Sequence, residues 1–366
     1  MDMTREKMEI LVVGAGPTGL TAALQLARRG YLPRIIDGKD RPTSLSRAVG
    51  ISPNSLDLLE PTGVTELLLA KGLKVRQLCF HASGRQLCQL DFTQLGHRFD
   101  FLLSLPQRET ERCMVAALER QGIHVEWGSE LVAVDRDGAR LLAAIRAPEG
   151  AITVSCDHLF GADGAHSTVR RQMRAEFEGK THRRRWSIAD AEIDGWPHEP
   201  LAAHVFLHRN GDAGFIIPIG PRRFRAVSNT PDALSRIPGG YTVDRLLQAD
   251  SFELSVRQAS TYQADGMALG GDAAHVHSPI GARGMNLGIE DASAFAARLA
   301  DGELDGYTAE RRPIGGEWIT FSERLLALVE TRNPLLAEFR NLALSAAGRA
   351  PPLQRAVLRR ITGLRQ

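Results

Sequence analysis

"EILVVGAGPTGLTAALQLARRGYLPRIIDG", residues 9 to 38, decides the fold. The apolar run Ile10 to Val13 reads as a buried parallel strand, Gly14, Gly16 and Gly19 as a tight turn, and Leu20 to Arg29 as a helix by periodicity. Gly14 permits the turn, Gly16 lets backbone approach a pyrophosphate, and Gly19 lets the helix pack close to the strand. The helix N-terminus offers its unpaired N–H groups to phosphate oxygens. Arg34 to Ile36 then form a second strand ending at Asp37, at about the spacing where a carboxylate reaches a ribose 2′-hydroxyl and repels a 2′-phosphate. Strand, turn, helix and acid together predict a dinucleotide site, and this segment alone leaves NAD and FAD open.

Two later segments choose between them. "CDHLFGADGAHSTVRRQM", residues 156 to 173, sets a strand over His158 to Phe160, a bend at Gly161, Asp163 and Gly164, and a helix beginning near Ser167. "MALGGDAAHVHSPIGARGMN", residues 267 to 286, repeats the device: a strand ends at Gly271 and Asp272, a glycine-rich loop follows, and a helix starts near Met285. Three acid-tipped glycine bends exceed what a simple NAD dehydrogenase needs and suit a long extended cofactor. FAD has ribityl hydroxyls for a carboxylate such as Asp272 to accept from, and a pyrimidine edge that takes N–H groups from a helix N-terminus at Gly284 to Asn286.

The composition bounds the class. A chain of 366 residues exceeds one ordinary hydrophobic core, and with 43% hydrophobic and 24% charged residues it reads as a soluble globular protein. No apolar run reaches the length of a membrane span, and a net charge of +2 excludes a strong field for nucleic acid. "KTHRRRW", Lys180 to Trp186, is a local basic island, read as a solvated face or a dock for an anionic ligand. The four cysteines, Cys79, Cys88, Cys113 and Cys156, form no metal-ligand spacing and are expected to be reduced thiols. The N-terminal stretch lacks a signal-peptide pattern, so a cytoplasmic location is expected.

The three segments, in this order and at these separations, resemble the group A FAD-dependent monooxygenases, the para-hydroxybenzoate hydroxylase-like aromatic hydroxylases. The likeness is tightest over residues 10 to 60, 155 to 172 and 265 to 300. It implies an α/β fold: a Rossmann-like FAD-binding domain from residues 1–74, 96–180 and 263–302, an interleaved antiparallel β-sheet substrate domain from 75–95 and 181–262, and a C-terminal helical segment, 303–366. It further implies that Gly14, Gly16, Pro17, Thr18, Gly19 and Asp37 hold the ADP half of FAD, and that Arg47 lies near the pyrophosphate or the reduced nicotinamide. Gln107 matches a flavin-contacting position, and Asp163 belongs to an Asp-Gly motif associated with FAD and NAD(P)H. Gly271 and Asp272 would meet the ribityl chain, and Pro279, Gly284, Met285 and Asn286 the isoalloxazine. Three positions depart from the common pattern: Asn54 stands where Arg is frequent, Arg283 replaces Gln or Lys, and Asp265 precedes Gly266 in place of Gly-Arg.

The implied reaction takes NADH or NADPH and O2 and hydroxylates a small phenolic or N-heteroaromatic molecule through a C4a-hydroperoxyflavin. Few catalytic side chains are then expected: Pro279 through its backbone and shape, and His277 through polar contact with substrate. Substrate contacts are sought in the middle region at His204, His208, Arg222 and Tyr262. His275 and His277 could chelate a metal only with a third ligand such as His204 or His208, which no pattern motivates, so no metal is expected and His275 is read as packing and hydrogen-bonding beneath the loop. Other readings of the same fold are a flavin-dependent reductase or halogenase-like tailoring enzyme, and a non-catalytic flavoprotein scaffold. A halogenase would show a Trp-rich motif and a catalytic Lys, which "GFIIPIG" lacks.

Coarse patterning supports the interleaving. "VRQLCFHASGRQLCQLDF" reads as a hairpin turning at Ser83 and Gly84, and "RRWSIADAEI", "AAHVFLH", "AGFIIPIG" and "RFRAVSN" read as strands. "TVDRLLQAD" reads as a short helix, and the chain from Tyr307 onward as helices whose apolar stripes pack inward. The basic amphipathic "PPLQRAVLRRITGLRQ" is expected to pack rather than to anchor in a membrane.

Overall fold

A computed structural model describes residues 8–41, 48–281 and 283–364. Ile10–Val13 is a strand whose residues are almost wholly buried, because parallel neighbours flank it on both sides: Arg34–Asp37 on one, His158–Gly161 on the other. The sheet continues outward to Val125–Trp127 and to Met267–Leu269, both parallel, and ends at the antiparallel Gln263–Ala264. Helices Pro17–Arg28 and Gly284–Asp301 pack against one another beside it. Burying each large aliphatic side chain of this core contributes roughly 1.5–3 kcal/mol, which fixes the strand order before any cofactor is considered.

The second layer is an eight-stranded sheet in the order His275–Val276, Thr242–Ala259, Phe177–Asp194, Arg223–Ser228, Ala213–Gly220, Ala202–Leu207, Gln77–Ala82, Arg85–Asp91. It is antiparallel except where Ala202–Leu207 runs parallel to Gln77–Ala82. The predicted hairpin is present, with Ser83 at φ 51° and Gly84 at φ 74° in its turn, the left-handed pair a two-residue hairpin demands. The strands therefore come from segments far apart in sequence, interleaved with those of the first sheet.

One element departs from its expected secondary structure. "TVDRLLQAD" is not a helix; it opens the strand Thr242–Ala259, which pairs along most of its length with Phe177–Asp194. Val243, Leu246 and Leu247, spaced like a helix face, remain well exposed at 39%, 54% and 38%. With no surface to bury a helical stripe against, the backbone ladder to the neighbouring strand decides the conformation.

The C-terminal chain forms the helices Tyr307–Val329, Pro334–Ala347 and Pro351–Thr362. The last packs as expected, Leu358 joining Cys88, Leu90, Phe92 and Leu95 in a small core under the hairpin. The middle one differs: Leu335, Phe339 and Leu342 face outward instead of into a core. No helix among the described residues is long and apolar enough to cross a membrane. All four cysteines are buried free thiols, and burial raises Cys79 and Cys156 to about 11.

Candidate active site

The three glycine bends leave the same edge of the first sheet. Gly14 takes φ +103° at the tip of its strand, and a Cβ there would stand 2.3 Å from the Ala162 carbonyl oxygen, so the first bend lies directly on the second. Gly270 donates its N–H to the Gly161 carbonyl at 3.0 Å, which ties the third bend to the second. Gly271, at φ +58°, closes the triangle: a Cβ on it would meet Thr18 Oγ1 at 2.5 Å, and one on Gly288 would meet the same atom at 2.2 Å. Thr18 thus packs between the third bend and the helix Gly284–Asp301, a contact only residues without Cβ allow.

The acids at the bends have different surroundings. Asp37, 8% exposed, accepts hydrogen bonds from Ala15 N at 2.7 Å and Lys39 N at 2.9 Å, so its carboxylate braces the glycine turn. Asp163 caps the helix Thr168–Gln172, accepting from Thr168 N at 2.7 Å and Val169 N at 3.2 Å. Burial raises its carboxyl pKa in spite of these donors, and its Oδ1 is buried with no hydrogen-bond partner among the described residues. Asp272 is exposed in the one-turn segment Gly271–Ala273.

Behind the third bend lies a buried charge network that sequence reading did not find. Asp291 Oδ2 accepts from Gly271 N at 3.0 Å and lies 2.6 Å from His275 Nε2, while Arg311 Nε donates to Oδ1 at 2.8 Å. Arg311 also pairs with Glu290 at 3.4 Å, and Glu290 with Arg283. Burial pushes the Asp291 carboxyl up, but His275 and Arg311 more than offset it and hold the group down at about 2. The predicted role of His275, a hydrogen bond beneath the loop, is therefore met by Asp291. The unusual Arg283 has its counterion two turns further along the helix, at Glu290. Spacing within one helix gives a weak signal for Glu290 and Asp291, and none for Arg311, which arrives from the next helix.

The loop between Val276 and Gly284 carries the other candidates. His277 donates from Nδ1 to the Ser278 carbonyl at 2.8 Å, and its Nε2 is buried without a partner among the described residues. A Cβ on Gly284 would stand 3.9 Å from that nitrogen, so it faces the start of the helix. Burial, helped by neighbouring His275 and Arg283, lowers His277 to about 3, leaving a neutral ring. Pro279 is exposed, and Met285 is buried. Asn286 turns toward the segment 50–55: its Oδ1 accepts from Ser52 N and Ser55 Oγ, both at 2.8 Å, and its Nδ2 donates to the Gly50 carbonyl at 2.9 Å. Gln107 opens the helix Gln107–Glu119 and donates to Glu111 at 2.8 Å. Arg47 lies outside the described residues.

The four substrate candidates do not gather in one pocket, which corrects that expectation. Tyr262 is fully buried, its hydroxyl accepting from Gln258 at 3.0 Å. Arg222 sits at φ 55° in an exposed turn and pairs with Asp244 and Asp194. His208 donates to the Arg236 carbonyl at 3.0 Å. His204 projects from the face of the eight-stranded sheet opposite Ala203, and it is Ala203 that packs with Ile217, Val75 and Val49 toward the first layer. Alternation along the strands sends these side chains to different faces. The same alternation puts Arg225 and Asp190 on the inner face, paired at 2.7 and 2.8 Å, with Arg225 1% exposed and donating to the Ala48 carbonyl at 3.1 Å. Sequence reading missed this pair, although an Arg inside the apolar "RFRAVS" strand was its trace.

The residues fit a dinucleotide. Gly16 has extended backbone and opens on space: among the described residues a Cβ there would meet nothing within 4 Å, and none of their side chains caps the N-terminus of the helix Pro17–Arg28. Open backbone donors, an exposed carboxylate at Asp272 and the partnerless oxygen of Asp163 border the bends.

Comparison with known proteins agrees. The FAD binding domain family matches residues 7–237 and 231–322. The 6-methylpretetramide 4-monooxygenase of Streptomyces rimosus is 32% identical over 380 residues, 96% of this chain and 68% of that protein. The structure of the OxyS anhydrotetracycline hydroxylase of the same species superposes with a TM-score of 0.80 at 27% identity, covering 98% of this chain and 77% of that one. That of p-nitrophenol 4-monooxygenase from Pseudomonas putida superposes at 0.88 with 21% identity over 99% of this chain and 100% of its own, a likeness of fold. The chain belongs to the FAD binding domain family, as a group A FAD-dependent aromatic hydroxylase.

Proposed function

We propose that this flavoprotein monooxygenase hydroxylates a phenol-like or N-heteroaromatic molecule held between the glycine bends and the inner face of the eight-stranded sheet. The observation that carries the reading is the convergence of the three bends at one sheet edge, Gly14 against Ala162 and Asp163, Gly270 bonded to Gly161, and Gly271 against Thr18. The names of relatives, 6-methylpretetramide and pentachlorophenol monooxygenases among them, support an aromatic substrate.

FAD, when bound, supplies electron transfer from NADH or NADPH and activation of O2. In this assignment Gly14, Gly16, Pro17, Thr18, Gly19 and Asp37 serve its ADP half, Gly271 and Asp272 the ribityl chain, and Pro279, Gly284, Met285 and Asn286 its ring system, with Arg47, Gln107 and Asp163 along the path. Residues 1–74, 96–180 and 263–302 would then be the FAD-binding domain, residues 75–95 and 181–262 the substrate domain, and residues 303–366 the C-terminal helical segment. Asp37 orients the turn through Ala15 N. Asn286 fixes the ring-binding helix against Ser52 and Ser55. His277, neutral, offers Nε2 as an acceptor toward the helix start. Ala203, Ile217 and Val49 supply an apolar wall that keeps water out, which strengthens every polar contact made inside. Arg225, held by Asp190, anchors the Ala48 backbone beside that wall.

The test is an absorbance spectrum of the purified protein, followed by anaerobic NADH and NADPH titration with a panel of phenols and N-heteroaromatics. A flavin spectrum, bleaching accelerated by one class of aromatic, and a product carrying one oxygen atom from O2 are expected. Flavin that neither nicotinamide reduces with any aromatic would overturn the reading.

A further inference from the structure

The outer face of the eight-stranded sheet carries a feature that the flavin chemistry does not use. His81 comes from the strand Gln77–Ala82, His204 from Ala202–Leu207, and His198 from the loop joining Phe177–Asp194 to the latter. One ring nitrogen from each lies within 4.8 Å of those of the other two. We propose that His81, His198 and His204 form a three-imidazole site for a divalent transition-metal cation of the zinc class, which staples the loop at His198 to the edge of the sheet.

The geometry is close to that of a metal site. His81 Nε2 and His204 Nδ1 are 3.1 Å apart, and two imidazole nitrogens bound to one tetrahedral zinc at 2.0–2.1 Å stand about 3.3 Å apart. His198, the least buried of the three, sits on a loop with its ring centroid 5.0 Å from those of both His81 and His204. The second nitrogen of His204 is already committed: Nε2 lies 3.2 Å from the Glu199 carbonyl, to which it donates. That bond leaves a lone pair on Nδ1, directed at His81. A backbone carbonyl holding the far N–H of a ligand histidine is the usual outer support of a metal site.

Proton accounting closes without a further reactant. With Nδ1 of His204 unprotonated, His81 donates its Nε2 proton across the 3.1 Å contact. Cation binding moves that proton to His81 Nδ1 through solvent, and three neutral rings meet the ion with no net proton release. Phe206 stacks on His81 at 4.7 Å, and Trp196 presents its ring to His198 and His204 at 5.2 and 5.6 Å, forming an apolar collar. Imidazole ligands favour zinc, copper, nickel and cobalt over magnesium and calcium. The site is on the sheet face away from Ala203 and Val49, so a cation there braces the sheet and leaves flavin reduction unaffected.

The experiment uses untagged full-length flavoprotein, freed of metal by chelator and titrated with Co2+ and then Zn2+. One Co2+ per chain, with visible d–d absorption beside the flavin bands after difference subtraction, displacement by Zn2+, and a higher unfolding temperature with Zn2+ are expected. His198→Ala, on the loop, is expected to keep the flavin spectrum while losing the cobalt band and the thermal shift, with affinity down roughly tenfold or more. His81→Gln is the second variant. Failure of the wild type to bind, binding equally strong in His198→Ala, or equal stabilisation by Mg2+ would overturn the proposal, and none of these outcomes bears on aromatic hydroxylation.

Discussion

His275 Nε2 lies 2.6 Å from Asp291 Oδ2, and the same oxygen accepts the Gly271 N–H at 3.0 Å. One carboxylate on the helix Gly284–Asp301 thus holds both the bend at Gly271 and the loop that follows it. Asp291→Asn removes the charge that Arg311 and His275 surround and leaves the buried guanidinium with Glu290 alone. Breaking such a pair costs about 3–5 kcal/mol, to be read from urea unfolding at pH 7. Since the folded carboxyl is held at about 2, below its usual 3.8, its stabilisation is full above pH 4 and is lost as pH falls from about 4 to 2. Asp291→Asn should lose that limb of the acid-unfolding curve.

Gly16→Ala separates the fold from cofactor binding. The backbone at Gly16, φ −76° and ψ −179°, suits any residue, and among the described residues a Cβ meets nothing within 4 Å. Stability without flavin should change by less than about 0.5 kcal/mol, while FAD binding weakens by about 1–3 kcal/mol, the cost of a methyl forced into a filled site. Flavin fluorescence titration decides. Undiminished affinity would show that the pyrophosphate does not pass Gly16.

Asp272→Ala is expected to leave the unfolding free energy within about 0.5 kcal/mol of wild type, since the side chain is exposed. Losing a charged hydrogen bond to the ribityl chain should weaken FAD by about 1.5–3 kcal/mol. A fully yellow variant after dialysis would remove Asp272 from the cofactor contacts.

His277 makes a pH prediction of the same sign as that of Asp291, in a higher pH window. Its folded pKa, about 3, lies below the ordinary 6.5, so the unfolded chain takes a proton first as pH drops. Stability is therefore lost as pH falls from about 6.5 toward 3, by up to about 1.4 kcal/mol per pH unit for one group. His277→Gln should flatten this slope by up to that amount, with no change in pH dependence above pH 7.5. Urea midpoints at pH 7.5, 6 and 5 measure it.

Local patterns made much of the protein legible. Ile10 to Val13, the glycines after it and Asp37 lie within one strand, turn, helix and strand unit, so residue order carries their geometry. The same holds for Ser167, which caps its helix at Arg170 N, and for the hairpin at Ser83 and Gly84. The eighteen-residue strand Thr242–Ala259 was misread because its conformation is set by a partner some sixty positions earlier, and no local period reports that.

From its sequence alone, then, this protein is an α/β chain with three acid-ended glycine bends and a place in a flavin-dependent family. Only tertiary structure decided that Thr18 packs against Gly271 and Gly288, that Asp291 anchors the third bend, that Arg225 with Asp190 faces inward, and that His81 meets His204 across a separation of 123 residues. Backbone preferences act between neighbours in the chain. Side-chain partnerships arise when sheets close on one another, and strand alternation then assigns each residue to the flavin side or the outer face.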